Sequence, residues 1–484
     1  MTGSPRRRGR PGPPVRLVHL GLGNFFRAHA AAFTDDVSGS AADRADWGFA
    51  AFGGRLPGAG GTTGGSGAGS PVVATLAAQG GCYTLLERGP ERDRASTVAS
   101  VSEVHPASDL ARWRSLVASP AVVAVTLTVT EAGYGLGPDG RADRDRRDRT
   151  ADLVALQAAS RGSDDRTTMV RTVAGRLVDG LRARRDAGAG PVAVIPCDNL
   201  PGNGWAVSAS VLDLAGDVDP SLAAWIHEQV SFVSTVVDRI TPRATAADLA
   251  AARALTGWDD PAVVVTEPYR EWVLAGAFPA GRPSWEHAGA VFVDDVTPYE
   301  ARKLLWLNGA HSLVAYLGLA LGHATVASAL ANDQVAGAVE AWWDEAAPSV
   351  PLAEPELAGH RDRLRARFAN PRLAHRLAQI AEDGSQKLPR RVLPVLRSNR
   401  LAGRSVDAAV TALGAWVVHV RGVANPGDLR DAEARRLLTA SRSAEPTRAL
   451  LEVLGPDLAD DGPLVDTVAD RAAELGARGM PGDG

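Results

Sequence analysis

Cysteine is almost missing from this chain. Cys82 and Cys197 are the only two, far apart and in no CxxC pair, so they can build neither a disulfide framework nor a cysteine-based zinc site. That usage suits a reducing cytoplasm, which is the expected location. Long apolar runs are missing as well: no uninterrupted stretch of about 18 residues is available to span a bilayer, and no membrane partner is expected. Nor does one sign of charge dominate. The 52 basic and 56 acidic residues are interspersed and leave a net charge of −4. No basic field results that could hold a phosphate backbone by counterion release, which sets nucleic acid aside as a partner. Residues 1–14, MTGSPRRRGRPGPP, are basic but are followed by no apolar core segment and no small-residue cleavage site. They are read as a disordered lead-in rather than a secretory signal.

What the chain does have is length and a change of pattern. Its 484 residues exceed the about 100–200 of one ordinary domain, so two are expected. Over 15–293, short β-branched runs alternate with helical stretches. The clearest strands are VRLVHL at 15–20, VVAVTLTV at 122–129, PVAVIP at 191–196 and AVVVTEP at 262–268. Such alternation predicts an α/β domain, a parallel sheet with helices on both faces. The Gly/Ser-rich stretch 53–70 is expected to be a surface loop. After Pro298 the strand-like runs nearly vanish and Ala/Leu/Arg periodicity continues, which predicts a helical domain over 294–484. DGSQKLP at 383–389 and VANPGD at 423–428 are expected as breaks between its helices. No fixed-period repeat argues for a solenoid.

Two segments carry chemistry. In VRLVHLGLGNFFRAHAAAF, Gly21 and Gly23 follow the first strand and precede what reads as an amphipathic helix. That is the setting of a phosphate-cradling turn, with the anion on the helix N-terminus. Phe26 occupies the third small position of GxGxxG, so on spacing alone a turn without ligand stays open. An acidic residue usually ends the second strand to hold ribose hydroxyls. Gly53, Gly54 and Arg55 stand there instead, and Arg55 is either a solvated arginine or a partner for a 2′-phosphate.

The second segment is DDVTPYEARKLLWLNGAHSLVAYLG at 294–318, expected as one α-helix opened by Thr297 and Pro298. Asn308 and His311, three apart, share a face of it, and the Lys303 stem reaches toward them. Oxidising a secondary alcohol requires a base for the hydroxyl proton and donors for the oxygen as it gains charge. Zinc commonly supplies the second role, and side-chain amides can replace it. A lysine serves as base when burial lowers its pKa from about 10.4 toward about 7–8. Glu300, one turn earlier, would oppose that shift if ionised and close, or relay the proton to solvent. Spacing alone leaves open an ordinary helix with a snorkelling lysine.

GLGNFFRAH at 21–29, CDNLPGNG at 197–204, VVDRITP at 236–242, EPYREW at 267–272 and the Lys-x4-Asn-x2-His pattern at 303–311 together resemble the polyol-specific long-chain dehydrogenases, the mannitol dehydrogenase family. The resemblance runs in order from about residue 16 to 425. It implies an N-terminal Rossmann-type dinucleotide-binding domain, an all-helical C-terminal domain, NAD as cofactor with NADP left open, no metal, and a site in the cleft between the domains. By motif position it makes Lys303 the general base, Asn199 and Asn308 the oxyanion donors, His311 the residue orienting the hydroxyl, and Glu300 the carboxylate on the proton path. Gly21, Gly23, Asn24, Phe25, Arg27 and Glu131 match cofactor positions. Asp238, Arg239 and Lys387 fall in segments lining the substrate, with a structural ion pair as the alternative for each. Phe26 replaces a histidine common in FHRAH, and the 53–70 loop is unlike most relatives, so adenosine contacts are not assigned.

Two features lean toward sugar acids. Gln379 stands where mannitol 2-dehydrogenases usually carry arginine, and Arg270 in EPYREW resembles the sugar-acid enzymes. A cation at Arg270 either holds a substrate carboxylate bidentately or makes a surface salt bridge. D-mannonate/D-fructuronate is therefore ranked first, D-mannitol/D-fructose or D-arabinitol next, and mannitol 1-phosphate third. A non-catalytic NAD(H)-binding sensor or scaffold is the alternative of another class. A monomer is the expected state.

Overall fold

The computed structural model describes residues 12–37, 47–53, 71–137, 139–160, 169–373 and 375–478. The expected disordered lead-in, as far as residue 11, lies outside the described residues, as do Gly54, Arg55 and the rest of the Gly/Ser-rich stretch to residue 70. The chain divides into two compact units, Met1–Val296 and Thr297–Gly484.

Among its described residues the first unit has twelve strands: β1 (Val15–Leu20), β2 (Gly48–Phe52), β3 (Tyr83–Arg88), β4 (Asp93–Val98), β5 (Val101–His105), β6 (Ala124–Leu127), β7 (Val192–Pro196), β8 (Val230–Phe232), β9 (Ser234–Asp238), β10 (Val264–Thr266), β11 (Glu271–Ala275) and β12 (Val291–Phe292). Six form one sheet in the order β5-β2-β1-β6-β7-β8, every pair parallel. Numbered among themselves along the chain, they run 3-2-1-4-5-6. This is the doubly wound order whose direction reverses beside the first strand, and ligands of such sheets bind at the carboxyl ends there. β2, β6 and β7 are buried along their whole length, as a sheet covered on both faces requires.

Three of the four expected strands belong to this sheet. The fourth, 262–268, does not. Its core, β10, pairs parallel with β3 in a separate three-stranded sheet, β10-β3-β4. Val264 packs in the cluster that contains Phe26 and Phe33, whereas Val265 packs with Leu86 and Ala252. A strand buried on both faces reads the same whichever sheet owns it. A third sheet is β12-β11-β9.

The helix after the glycine turn also departs from expectation. It is two short helices, α1 (Asn24–Ala28) and α2 (Ala30–Asp35), broken at His29. Neither presents a polar face: Phe26, Arg27, Ala28, Ala30, Ala31, Ala32, Phe33 and Thr34 are all buried. Phe26 packs on β1 and β2 through His19 and Phe49, and Phe33 packs on Trp272 of β11. Both sides are covered, so the helices are not amphipathic.

The second unit is helical, and among the described residues no strand follows β12. Its core gathers around the helices Ala310–Ala320 and Asp407–Arg421, each buried over most of its length. The break expected at 383–389 is narrower than the sequence suggests. Asp383 takes a left-handed conformation and a helix runs Gly384–Arg391, with Pro389 inside it. Among the described residues no helix is long and apolar enough to cross a membrane.

Candidate functional site

At the end of β1 the backbone must turn sharply, and Gly21 does it at a φ of 115°. A Cβ there would lie 2.2 Å from the Thr128 carbonyl oxygen, whereas one on Gly23 would meet nothing nearer than 3.7 Å. The Gly21 and Leu22 amides donate to the Phe52 carbonyl at the end of β2, at 3.1 and 3.0 Å. From the end of β6, the Thr128 hydroxyl donates to the Gly21 carbonyl at 2.6 Å. Beneath the turn lies His19, fully buried and stacked on Phe26 at 3.5 Å. Its Nδ1 is 2.7 Å from the Thr126 hydroxyl, and its Nε2 is 3.1 Å from the Gly21 carbonyl. Burial pulls the imidazole down to about 3, so it is neutral and set to donate from Nε2. His19 and Thr128 escaped the sequence reading; Phe26, the departure noted there, is half of that stack.

In the first turn of α1 the amides of Asn24, Phe25 and Phe26 have no carbonyl behind them in the helix. A pyrophosphate needs such donors, and a Cβ-free turn at the reversal of strand order fits it. Arg27 supports this turn from behind. Its guanidinium donates to the Ala262 carbonyl at 2.5 Å and to the Asn24 side-chain oxygen at 2.7 Å, and it is buried against the Tyr83 ring. Glu131 opens a short turn, Glu131–Tyr134, just past β6.

The loop after β7 carries Asn199. On one side the Asp198 carboxylate accepts the Leu200 amide at 3.0 Å and the Tyr134 hydroxyl. Burial and that carboxylate raise the Tyr134 phenol, which keeps it a donor. On the other side Asn203, fully buried, donates to the Thr235 carbonyl at 3.1 Å and accepts the Thr235 amide at 2.9 Å. Asn199 sits exposed at the crest between these anchors. Neither Asn203 nor Tyr134 was singled out by sequence; the second asparagine of CDNLPGNG was the available signal.

Asp238 ends β9 and is buried. For Arg239 the structural alternative is what is seen: its guanidinium donates to the Glu267 and Ala28 carbonyls and pairs with Glu87 at 2.5 Å. Arg270 also resolves to an ion pair. It meets the Asp36 carboxylate at 2.6 Å and the Ala288 carbonyl at 2.9 Å, and lies over the Phe33 ring. The guanidinium is thus engaged within its own unit, as the salt-bridge alternative describes.

In the second unit the expected single α-helix is three pieces: an α-turn, Thr297–Ala301, a π-helical stretch, Arg302–Gly309, and an α-helix, Ala310–Ala320. Glu300 lies in the first piece, Lys303 and Asn308 in the second and His311 in the third. The change matters for geometry. Five residues of α-helix separate two side chains by about 140° around the axis, but the i→i+5 pattern of a π-helix brings them toward the same face, as i and i+4 are in an α-helix. Lys303 and Asn308 are five apart. The indole of Trp342 donates to the Leu305 carbonyl at 2.9 Å, and that of Trp343 to the Trp306 carbonyl at 3.1 Å.

His311 is buried, its ring stacked on Phe368 at 4.6 Å and edge-on to His375 at 5.2 Å. The Ser312 hydroxyl donates to the Asn308 carbonyl and accepts from Arg391. Lys387, on the helix that packs against the π stretch, donates to the Ile380 carbonyl at 3.2 Å. Burial first, then neighbouring Arg391, hold its ammonium below the usual lysine range. Among the described residues no three His, Cys, Asp or Glu side chains group as metal ligands.

Residues 15–287 match the family model of the mannitol dehydrogenase Rossmann domain, and 295–475 that of the mannitol dehydrogenase C-terminal domain. An uncharacterized oxidoreductase of Escherichia coli (strain K12) is 37% identical over 94% of this chain and 90% of its own. The D-mannonate oxidoreductase of the same organism is 35% identical over 96% and 94%. Among solved structures, mannitol 2-dehydrogenase of Pseudomonas fluorescens, in a ternary complex with NAD and D-mannitol, superimposes with a TM-score of 0.75. It is 28% identical and the match covers 99% of this chain and 95% of that one.

Proposed function

The chain belongs to the mannitol dehydrogenase family of oxidoreductases, and from that premise we propose that it moves a hydride between NAD(H) and a secondary alcohol of a sugar acid or sugar alcohol. The observation that supports the reading is the π stretch itself, which carries an amine, Lys303, and an amide, Asn308, five residues apart, a spacing that an i→i+5 register favours for one face. Those are the two kinds of group a metal-independent alcohol oxidation requires.

A bound nicotinamide supplies the hydride acceptor. The turn Gly21–Gly23 and the amides of Asn24 and Phe25 would hold its pyrophosphate, with Glu131 assigned to the same cofactor; Arg27 acts from behind by fixing Asn24. Lys303 Nζ takes the hydroxyl proton. The side-chain amides of Asn308 and Asn199 donate to the oxygen as it gains charge, each such donor being worth about 2.7–4 kcal/mol of barrier. His311 orients the hydroxyl, held flat by Phe368, and Glu300 passes the proton toward solvent. Asp238 and Lys387 are assigned to the substrate side. Arg239 and Arg270 are assigned to the scaffold, on the partners given above.

D-Mannonate/D-fructuronate is the leading substrate pair, supported by the likeness to D-mannonate oxidoreductase and by Gln379. D-Mannitol/D-fructose is the second reading, favoured by the likeness to the mannitol 2-dehydrogenase complex and by the engagement of Arg270 with Asp36. The test follows the absorbance of NADH, and separately of NADPH, with fructuronate, fructose and fructose 6-phosphate. Fastest consumption with fructuronate and NADH is expected. Silence on every ketose and ketouronate, alongside measurable NADH binding, would make the protein a sensor instead.

A further inference from the structure

A π-helical stretch is a costly register to hold, because each turn forgoes the ordinary i→i+4 geometry. In this chain the support comes from a distant helix. Trp342 and Trp343 are consecutive and fully buried on the helix Asp333–Ala346, and their indoles donate to consecutive carbonyls, Leu305 and Trp306. The choice of carbonyls is informative. At the exit from the stretch the Ala310 amide donates to Leu307. Both indole acceptors are carbonyls inside the π stretch, directly before Leu307. Close approach of the Trp342 ring is possible because residue 309 is glycine: a Cβ there would fall 2.5 Å from the ring's Cζ2 and 3.0 Å from its Nε1.

We propose that Trp342 and Trp343 are positioning residues for Lys303 and Asn308, their indole N–H groups holding the π register that lines up the two side chains. Neither ring touches substrate in this scheme. The proposal rests on the reading of Lys303 as base given above. Loss of the indole donors lets Arg302–Gly309 relax toward the α register and turns the amine away from the amide.

The test uses the full chain with Trp342→Phe and Trp343→Phe, which keep a buried ring and delete the donor. We expect kcat to fall roughly 10- to 100-fold, the scale of a misplacement by about 1 Å. The KM for NADH stays unchanged, and the limb of the kcat–pH profile that reports the base is displaced. A variant with a comparable loss of stability elsewhere in the same core, Val468→Ala, keeps the profile of the parent. In a Lys303→Ala background the tryptophan replacements lower the residual rate by less than they lower the rate of the parent, because one of the two groups they position is gone. Should Lys303→Ala itself retain turnover, the premise falls and the proposal with it. Should Lys303→Ala abolish turnover while both phenylalanine variants keep the parent kcat and pH profile, the indoles are packing alone and the proposal is overturned. If the phenylalanine variants fail to fold, Gly309→Ala presses a methyl against the same indole without removing it, and the same outcomes decide.

Discussion

The turn after β1 and the stretch through Lys303 both bend backbone out of its ordinary course, and they do so by opposite means. At Gly21 the demand falls on the residue itself: a left-handed φ, and a Thr128 carbonyl oxygen that a Cβ would meet at 2.2 Å, leave room for a hydrogen and nothing more. At Arg302–Gly309 no residue has a forbidden conformation. The unusual register is held by two indoles from a helix some 37 residues away in sequence. A local demand leaves its mark on residue type at the position itself, whereas a tertiary one marks residues elsewhere.

The contrast can be broken most forcefully at the chemistry. Lys303→Ala is expected to lower turnover by orders of magnitude at neutral pH while NADH affinity, assigned above to the turn in the other unit, changes little. Steady-state kinetics with fluorescence titration of NADH measures both, and surviving turnover with only a raised KM would remove Lys303 as base. Next in size is the pair Gly21→Ala and Gly23→Ala. The first must strain φ and overlap Thr128, so NADH binding or folding should collapse. The second meets nothing within 3.7 Å and should cost NADH affinity far less. Equal effects would show that the turn is not governed by backbone strain.

The smallest effect sharpens the support beneath the turn. Burial lowers the His19 imidazole from 6.5 to about 3, so between those values the unfolded chain binds a proton that the folded chain refuses. Stability from this group is complete above about pH 6.5 and is lost as pH falls toward 3, by about 1.4 kcal/mol per pH unit. Urea midpoints of the parent and His19→Phe, measured from pH 7 to pH 4, should diverge in slope by that amount. Parallel slopes would mean that the imidazole titrates normally.

Much of this was open to a reader of the residues alone. Strands β1, β6 and β7 are continuous β-branched runs, and Gly21 follows the first of them. Lys303, Asn308 and His311 stood out through resemblance to a family segment, since spacing alone left an ordinary helix open. What escaped that reading shares one cause. The break at His29, the membership of β10 in a second sheet, the Gly384–Arg391 helix and the choice of Asp36 as the partner of Arg270 each depend on residues far along the chain. His19 looked like one more residue in VRLVHL, and Asn203 like one more turn residue in CDNLPGNG. Each holds a loop only because Thr126, Thr128 or Thr235 is brought beside it.

Sequence by itself determined the class of fold, the two-part organisation of strand-rich and helical stretches, and the kinds of group available for chemistry, because apolar periodicity and residue type are properties of short segments. Only the tertiary structure decided the register in which Lys303 and Asn308 are displayed and which arginines are already engaged. Those outcomes turn on hydrogen bonds between residues dozens to hundreds of positions apart, and a donor such as the Trp342 indole carries no mark of its acceptor until the chain has folded around it.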